Sequence, residues 1–162
     1  MRNARGAMRN VAKKQGELKA SASTPRPYRI EDQPGYLLRR AHQRASAIFQ
    51  SGIGESTITP TQYSSMAKLH EYHELSQNRL GRLVGMDKAT MQGVVRRLKD
   101  RGFVDSRPDP GDARRTLLSL TLEGQRLLAK LLMNGPAVSR EILKPLSGPE
   151  QRQFLELLLK II

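Results

Sequence analysis

The residues of this chain that could do chemistry are cations and amides, not nucleophiles. In DPGDARRTLLSLT (109–121), Arg114 and Arg115 stand side by side next to a turn signal, where they bury nothing. Upstream, Lys88, Ala89, Thr90, Gln92, Arg96 and Arg97 fall on the outward side of a helical pattern whose inward side is Met91, Val94, Val95 and Leu98. A Lys or Arg there serves guanine or phosphate, a glutamine amide pairs bidentately with adenine, and Ala89 is small enough to approach a thymine methyl. The spacing therefore predicts base contacts from Lys88, Ala89, Thr90 and Gln92 near the helix N-terminus, and phosphate contacts from Arg96 and Arg97. Ser76 and Gln77, opening the preceding helix, join the candidate DNA-binding set. A solvated charged face is the competing reading of any such helix, so its neighbours must decide.

Two further clusters invite a ligand. Arg40 and Arg44 lie one turn apart on an early helix, with Arg39 and His42 beside them, and could neutralise a carboxylate or phosphate on a small molecule. A solvated basic face competes with that reading. In HEYHE (70–74), His70 and His73 stand at i, i+3 with Glu71 and Glu74 nearby, but this is not H-E-x-x-H, because position 74 is Glu. With three histidines and no cysteine a complete metal site would need carboxylates from elsewhere, so no metal is expected and a zinc-sensing role stands as an alternative. Arg40, His42, Arg44 and His73 are the candidate effector residues. No G-x-S-x-G, Gly-rich phosphate loop or thiol is present, so neither an enzyme nor a cofactor is expected.

Composition agrees with a polyanionic partner. The 162 residues carry 28 Lys and Arg against 15 Asp and Glu, a formal charge of +13, with 4% aromatics and no Trp to stack on single-stranded bases. No apolar run approaches the ~18 residues of a membrane span. A cytoplasmic chain with no membrane partner is the expectation. Residues 1–30 read as a basic, flexible arm, with Glu17 the one acid before residue 27; it either touches DNA phosphates or is simply solvated.

Residues 31–162 read as one domain. A helix is predicted over 34–51, and a second from Pro60 with Thr59 as N-cap, Gln62 closing a capping box and Ile58 able to staple against Tyr63. Ser76 caps a third helix that stops at Gly85, and Asp87 caps a fourth that ends at Gly102: a helix-turn-helix. Strand, turn and strand follow through 103–121, with Arg114 or Arg115 at the hairpin tip, reaching toward the minor groove. A long helix begins at Leu122, where Pro136 should bend or interrupt it, and a last one at Ser147 runs through FLELLLKII, apolar on nearly all sides.

At this point LSQNRLGRLVGMDKATMQGVVRRLKDRGFVDSRPDPGDARRTLLSLTLEG resembles the MarR family of winged helix-turn-helix transcriptional regulators, in its D-K-x-T recognition helix, its R-L-x-x-R-G-x-V passage into the wing and its D-P-x-D wing ending in L-x-L-T-x-x-G. The resemblance implies an α+β, predominantly helical homodimer. Its winged DNA-binding lobe would be 59–121, its dimerisation helices 34–51 and 122–162, and a small-molecule pocket would lie between them. Asp112 and Arg114 match the wing's D-x-R, making Arg114 the better candidate for minor-groove insertion. Gly93, where the family commonly has a larger residue, Gly81, where it commonly has Ala, and Pro136 depart from its pattern. The function this implies is a repressor that binds palindromic double-stranded DNA and is released by a small anionic or aromatic effector, an aromatic acid or its CoA thioester. An architectural, sequence-tolerant DNA-binding protein is the alternative.

Overall fold

The computed structural model describes residues 27–162, so the basic arm expected over 1–30 falls almost wholly outside them. Among the described residues six α-helices and a three-stranded antiparallel sheet make an α+β, predominantly helical fold. Residues 27–37 and Leu38–Ile162 are separate units. In the first, a 3-10 turn at Ile30–Asp32 is closed by Gln33, whose side-chain amide donates to the Arg29 carbonyl at 2.9 Å. Helix α1 (Pro34–Gly52) starts at a proline, which has no N–H to leave unsatisfied.

In the larger unit each helix start carries its own chemical stop. The Gln62 N–H donates to Thr59 Oγ1 at 3.2 Å and the Thr59 N–H to Gln62 Oε1 at 2.9 Å, the reciprocal box that opens α2 (Pro60–Tyr72). Helix α3 (Gln77–Val84) ends at Gly85, whose φ of 69° is one that a Cβ would resist. Asp87 then accepts the Thr90 N–H at 2.9 Å and opens α4 (Lys88–Asp100). Met91, Val94, Val95 and Leu98 of α4 are buried against Leu80, Met66, Leu69, Val104 and Leu118, so one core holds the helix-turn-helix to the sheet. Gly81 has a packing reason: a Cβ there would sit 3.0 Å from the Met86 carbonyl oxygen, where the turn folds back on α3.

The sheet has the order β1-β3-β2, with β1 Leu75–Ser76, β2 Val104–Asp109 and β3 Asp112–Leu120. Strand β1, two residues long, pairs Leu75 with Leu118 and Ser76 with Leu117. Sequence periodicity cannot register so short a strand, which read only as the N-cap of the next helix.

Of the bend or interruption expected at Pro136, the interruption does not occur: helix α5 (Leu122–Leu143) runs unbroken through it. Leu128, Leu131 and Val138 are buried on one face before and after the proline, while Pro136 itself is exposed. The lost hydrogen bond is thus outweighed by burial that only a continuous helix provides. Helix α6 (Gly148–Leu159) opens with the Ser147 N–H and Oγ both donating to Glu150 Oε2, at 2.7 and 2.6 Å, and has no buried residue.

Candidate nucleic-acid interface

The face of α4 that turns away from the core carries Ala89, Gly93 and Arg96, flanked by Gln92 on one side and Thr90 and Arg97 on the other. Between this helix and the hairpin lies an open groove of about 730 Å³ bordered by Gln77, Ala89, Gln92, Arg96, Lys99 and Ser106. Three residues expected at bases or phosphates, Ala89, Gln92 and Arg96, are therefore brought together with Gln77 of α3. Lys99, whose ammonium donates to Ser106 Oγ at 2.6 Å, ties the helix to β2 at the far end of that groove. Neither Lys99 nor Ser106 was singled out by spacing, because their meeting depends on how the hairpin folds back.

Two expected contacts have other commitments. The Thr90 hydroxyl donates to Asp87 Oδ2 at 2.7 Å, so it can offer a base only its acceptor capacity. The backbone and side-chain donors of Thr90 hold the Asp87 carboxyl below its usual range, keeping the cap charged. Ser76 Oγ likewise accepts the Arg79 N–H, at 3.4 Å, while its backbone belongs to β1. Lys88 is exposed at the first turn of α4.

Arg96 and Arg97, grouped by sequence as phosphate contacts, diverge. Arg96 borders the groove, whereas Arg97 lies on the opposite flank, beside Thr57, Gln62 and Arg101. Its guanidinium bends back over Gly93, 3.4 Å from where a Cβ would be.

The hairpin corrects the expected position of Arg114 and Arg115. The turn itself is Pro110–Gly111, with the Gly111 N–H donating to Asp109 Oδ1 at 2.9 Å. Pairing then jumps from Asp109↔Asp112 to Pro108↔Thr116, so the residues of β3 between Asp112 and Thr116 form a bulge. Both arginines stand on this bulge and not at the tip, with side chains 92% and 67% exposed. Asp112 holds the two, Oδ1 to Arg114 Nε at 3.2 Å and Oδ2 to Arg115 Nε at 3.4 Å. A bulge re-aims side chains out of the pleat, which explains how two adjacent arginines can both project.

Beside the bulge, Arg107 of β2, paired with Leu117, makes a fork with Glu74, Nε to Oε1 at 2.7 Å and Nη2 to Oε2 at 2.5 Å. Arg107 holds the Glu74 carboxyl below the usual carboxylate range. Glu74 follows a reversal at His73 (φ 62°, ψ −54°), closed by the Glu74 N–H on the Tyr72 carbonyl at 2.7 Å, a γ-turn. The shared helix face expected of His70 and His73 is therefore absent: α2 ends at Tyr72 and His73 leaves it. Among the described residues no His, Asp and Glu gather into a group that could hold a metal ion.

The remaining effector candidates are not where a ligand would be enclosed. A cavity of about 440 Å³ lies between α1, α2 and α5, walled by Phe49, Ile53, Tyr63, Ser64, Pro136 and Ser139 among others, and Arg40, His42, Arg44 and His73 are not in its wall. Phe49 and Tyr63 meet there with ring centroids 5.4 Å apart. Arg44 instead donates to the Ile142 and Glu141 carbonyls at 2.8 and 3.4 Å, the C-terminal end of α5. Because Ile142 also walls the cavity, Arg44 is one residue removed from it. Helical spacing placed the cations on α1 but could not foresee that α5 would use one of them.

Comparison with known proteins agrees with this architecture. The MarR family model matches residues 58–116. The HTH-type transcriptional repressor NicR of Pseudomonas putida is 36% identical over 136 residues, covering 84% of this chain and 86% of NicR. A probable transcriptional regulator from Pseudomonas aeruginosa has a crystal structure similar to this one, with a TM-score of 0.77 and 43% identity, over 83% of this chain and all of that one. Bordetella bronchiseptica BpsR, whose DNA binding is regulated by 6-hydroxynicotinic acid, aligns with a TM-score of 0.78 and 32% identity, over 84% of this chain and 97% of BpsR. Among the described residues no helix is long and apolar enough to cross a membrane.

Proposed function

The chain belongs to the MarR family of transcriptional regulators, and from that premise we propose that it is a homodimeric repressor of a palindromic operator, released by a single-ring aromatic acid. The observation that carries the ligand half is the cavity between α1, α2 and α5. Its wall is largely apolar, the Phe49 and Tyr63 rings supply aromatic surface, and the hydroxyls of Tyr63, Ser64 and Ser139 can orient one polar substituent. About 440 Å³ suits one substituted ring and not the nucleotide half of a CoA thioester. Arg44, by exchanging the Ile142 carbonyl for a carboxylate, would hold the acid group at the cavity's edge. BpsR, whose DNA binding is regulated by 6-hydroxynicotinic acid, supports an acid of this size.

For DNA, Gln77, Lys88, Ala89 and Gln92 face the major groove, Arg96 and Ser76 contact phosphates, and Arg114, with Arg115 beside it, enters the minor groove. The exposed apolar side chains of α6, among them Phe154, Leu155, Leu157 and Leu159, form the dimer contact with a second copy. Two copies related by a two-fold axis set the recognition helices about 34 Å apart, one turn of B-DNA. An effector reverses occupancy by favouring a different spacing, and a full reversal requires a preference of about 5.5 kcal/mol for the released form.

Selection from a random duplex pool at near-physiological salt tests this reading, with the enriched duplex then titrated with 6-hydroxynicotinate, benzoate and benzoyl-CoA. The expected result is an enriched palindrome released by a free acid and unaffected by the thioester. Tight, salt-sensitive binding with no enrichment would instead describe an architectural protein.

A further inference from the structure

We propose that Gly93 and Arg97 act together as one base reader, with Arg97 contacting guanine where a side chain at position 93 would otherwise enter the groove. The inference rests on the DNA-binding reading above and assigns Arg97 a role different from the phosphate contact that spacing implied.

Position 93 lies near the middle of the outward face of α4, one turn beyond Ala89 and between Gln92 and Arg96. A recognition helix reads bases from this face, and its flanks meet the sugar-phosphate walls. Glycine is the weakest ordinary choice in a helix interior, and nothing in the backbone requires it here, because Gly93 has no positive φ. What it does is leave space. The Arg97 guanidinium occupies that space, its two terminal nitrogens 3.4 and 3.9 Å from the position of a Cβ on residue 93 and its central carbon 4.0 Å away. Arg97 therefore starts on the flank of the helix and ends over its centre. Asp100 lines the same recess as Arg97, but among the described residues no carboxylate forms an ion pair with the guanidinium, which keeps its donors for an external acceptor. The planar fork matches guanine O6 and N7, the commonest specific contact in a major groove. Arg96 borders the groove on the side of the wing, which suits a phosphate.

The test compares duplex selection by the wild-type protein with selection by Arg97→Ala, Arg97→Lys and Arg96→Ala. Arg97→Ala is expected to lose preference for one G·C pair in each half-site, with discrimination there falling about tenfold or more, while other positions keep their preferences. Arg97→Lys, which lacks the fork, should recover overall affinity but not that preference. Arg96→Ala should weaken all duplexes alike and lower the salt slope by about one. Gly93→Leu, whose side chain would fill the space that the guanidinium occupies, should lose the same G·C preference as Arg97→Ala, and an unchanged Tm for the Arg97 variants shows that the fold is kept. Uniform weakening by Arg97→Ala in a protein that does select a palindrome would overturn the proposal alone. Absence of any sequence preference in the wild type would overturn it together with the operator reading.

Discussion

Glu74 and Arg107 close a two-pronged ion pair between the turn that ends α2 and the first strand of the wing. The pair ties the wing's outer strand to the segment that enters the helix-turn-helix, spanning a γ-turn at His73 whose backbone a non-glycine residue adopts at a cost. Since the Glu74 carboxyl titrates below its ordinary value of 4.5 when folded, its contribution is fully present above that value and is lost as pH falls toward the folded one. Glu74→Gln should therefore lower the urea midpoint at about pH 7, and its difference from the wild type should shrink as pH falls below 4.5 and the Glu74 carboxylate is protonated. A difference that persists in acid would assign the effect to packing and not to charge.

Of the described glycines, Gly124 lies tightest against its neighbour, the Phe103 backbone. A Cβ on Gly124 would fall 2.1 Å from the Phe103 carbonyl oxygen and 2.9 Å from its carbonyl carbon, both backbone atoms that cannot rotate aside. The same carbonyl accepts the Thr121 N–H at 3.1 Å, and Thr121 Oγ1 accepts the Gly124 N–H at 3.0 Å, so the wing's exit and the start of α5 are one unit. Gly124→Ala should cost about 3 kcal/mol or more, at the upper end of overpacking penalties, and lower the Tm of the free protein. Gly85→Ala, at a left-handed C-cap with open space around it, should cost only about 1 kcal/mol.

Much of this was legible in the amino-acid string, and the limits are physical. Capping residues Thr59, Ser76 and Asp87 announce helices because the orphan N–H groups they satisfy are local, as is the Glu150 carboxylate that takes the Ser147 donors. The core of α4 is equally readable from its period. Partners far apart in sequence were not: Arg44 with Ile142, Glu74 with Arg107, and the walls of the cavity all depend on tertiary packing. Pro136 and the adjacent arginines show the other limit. Local rules foresaw a bent or interrupted helix and a cationic tip, but burial on both sides of the proline kept the helix whole, and a bulge moved the arginines three or more residues from the turn's start.

Asp112 restrains both wing arginines, and its own charge opposes an approaching phosphate. Asp112→Asn removes the two ion pairs without changing the side chain's size. Affinity for random duplex should rise a few-fold, because one repulsive charge is gone, while the ratio of operator to random binding falls about tenfold as Arg114 loses its fixed direction. Anisotropy titrations with both duplexes at several salt concentrations would measure the two quantities together. If both affinities rise in parallel, Asp112 tunes charge alone and does not aim the wing.

Helix α6 poses a solvation problem that one chain does not solve. Leu157 and Leu159 are 51% and 70% exposed, Ile161 and Ile162 just beyond the helix are 66% and 95% exposed, and no residue of the helix is buried. Burying such side chains is worth roughly 1.5–3 kcal/mol each, so leaving them in water forfeits a large share of a domain's net stability. Leu157→Glu should shift the protein from dimer to monomer at micromolar concentration in analytical ultracentrifugation, and should abolish the dependence of Tm on protein concentration. Binding to a full palindrome should then weaken much more than binding to a single half-site, because the gain from linking two sites is lost. A Leu157→Glu protein that stays dimeric would move the dimer contact off this helix.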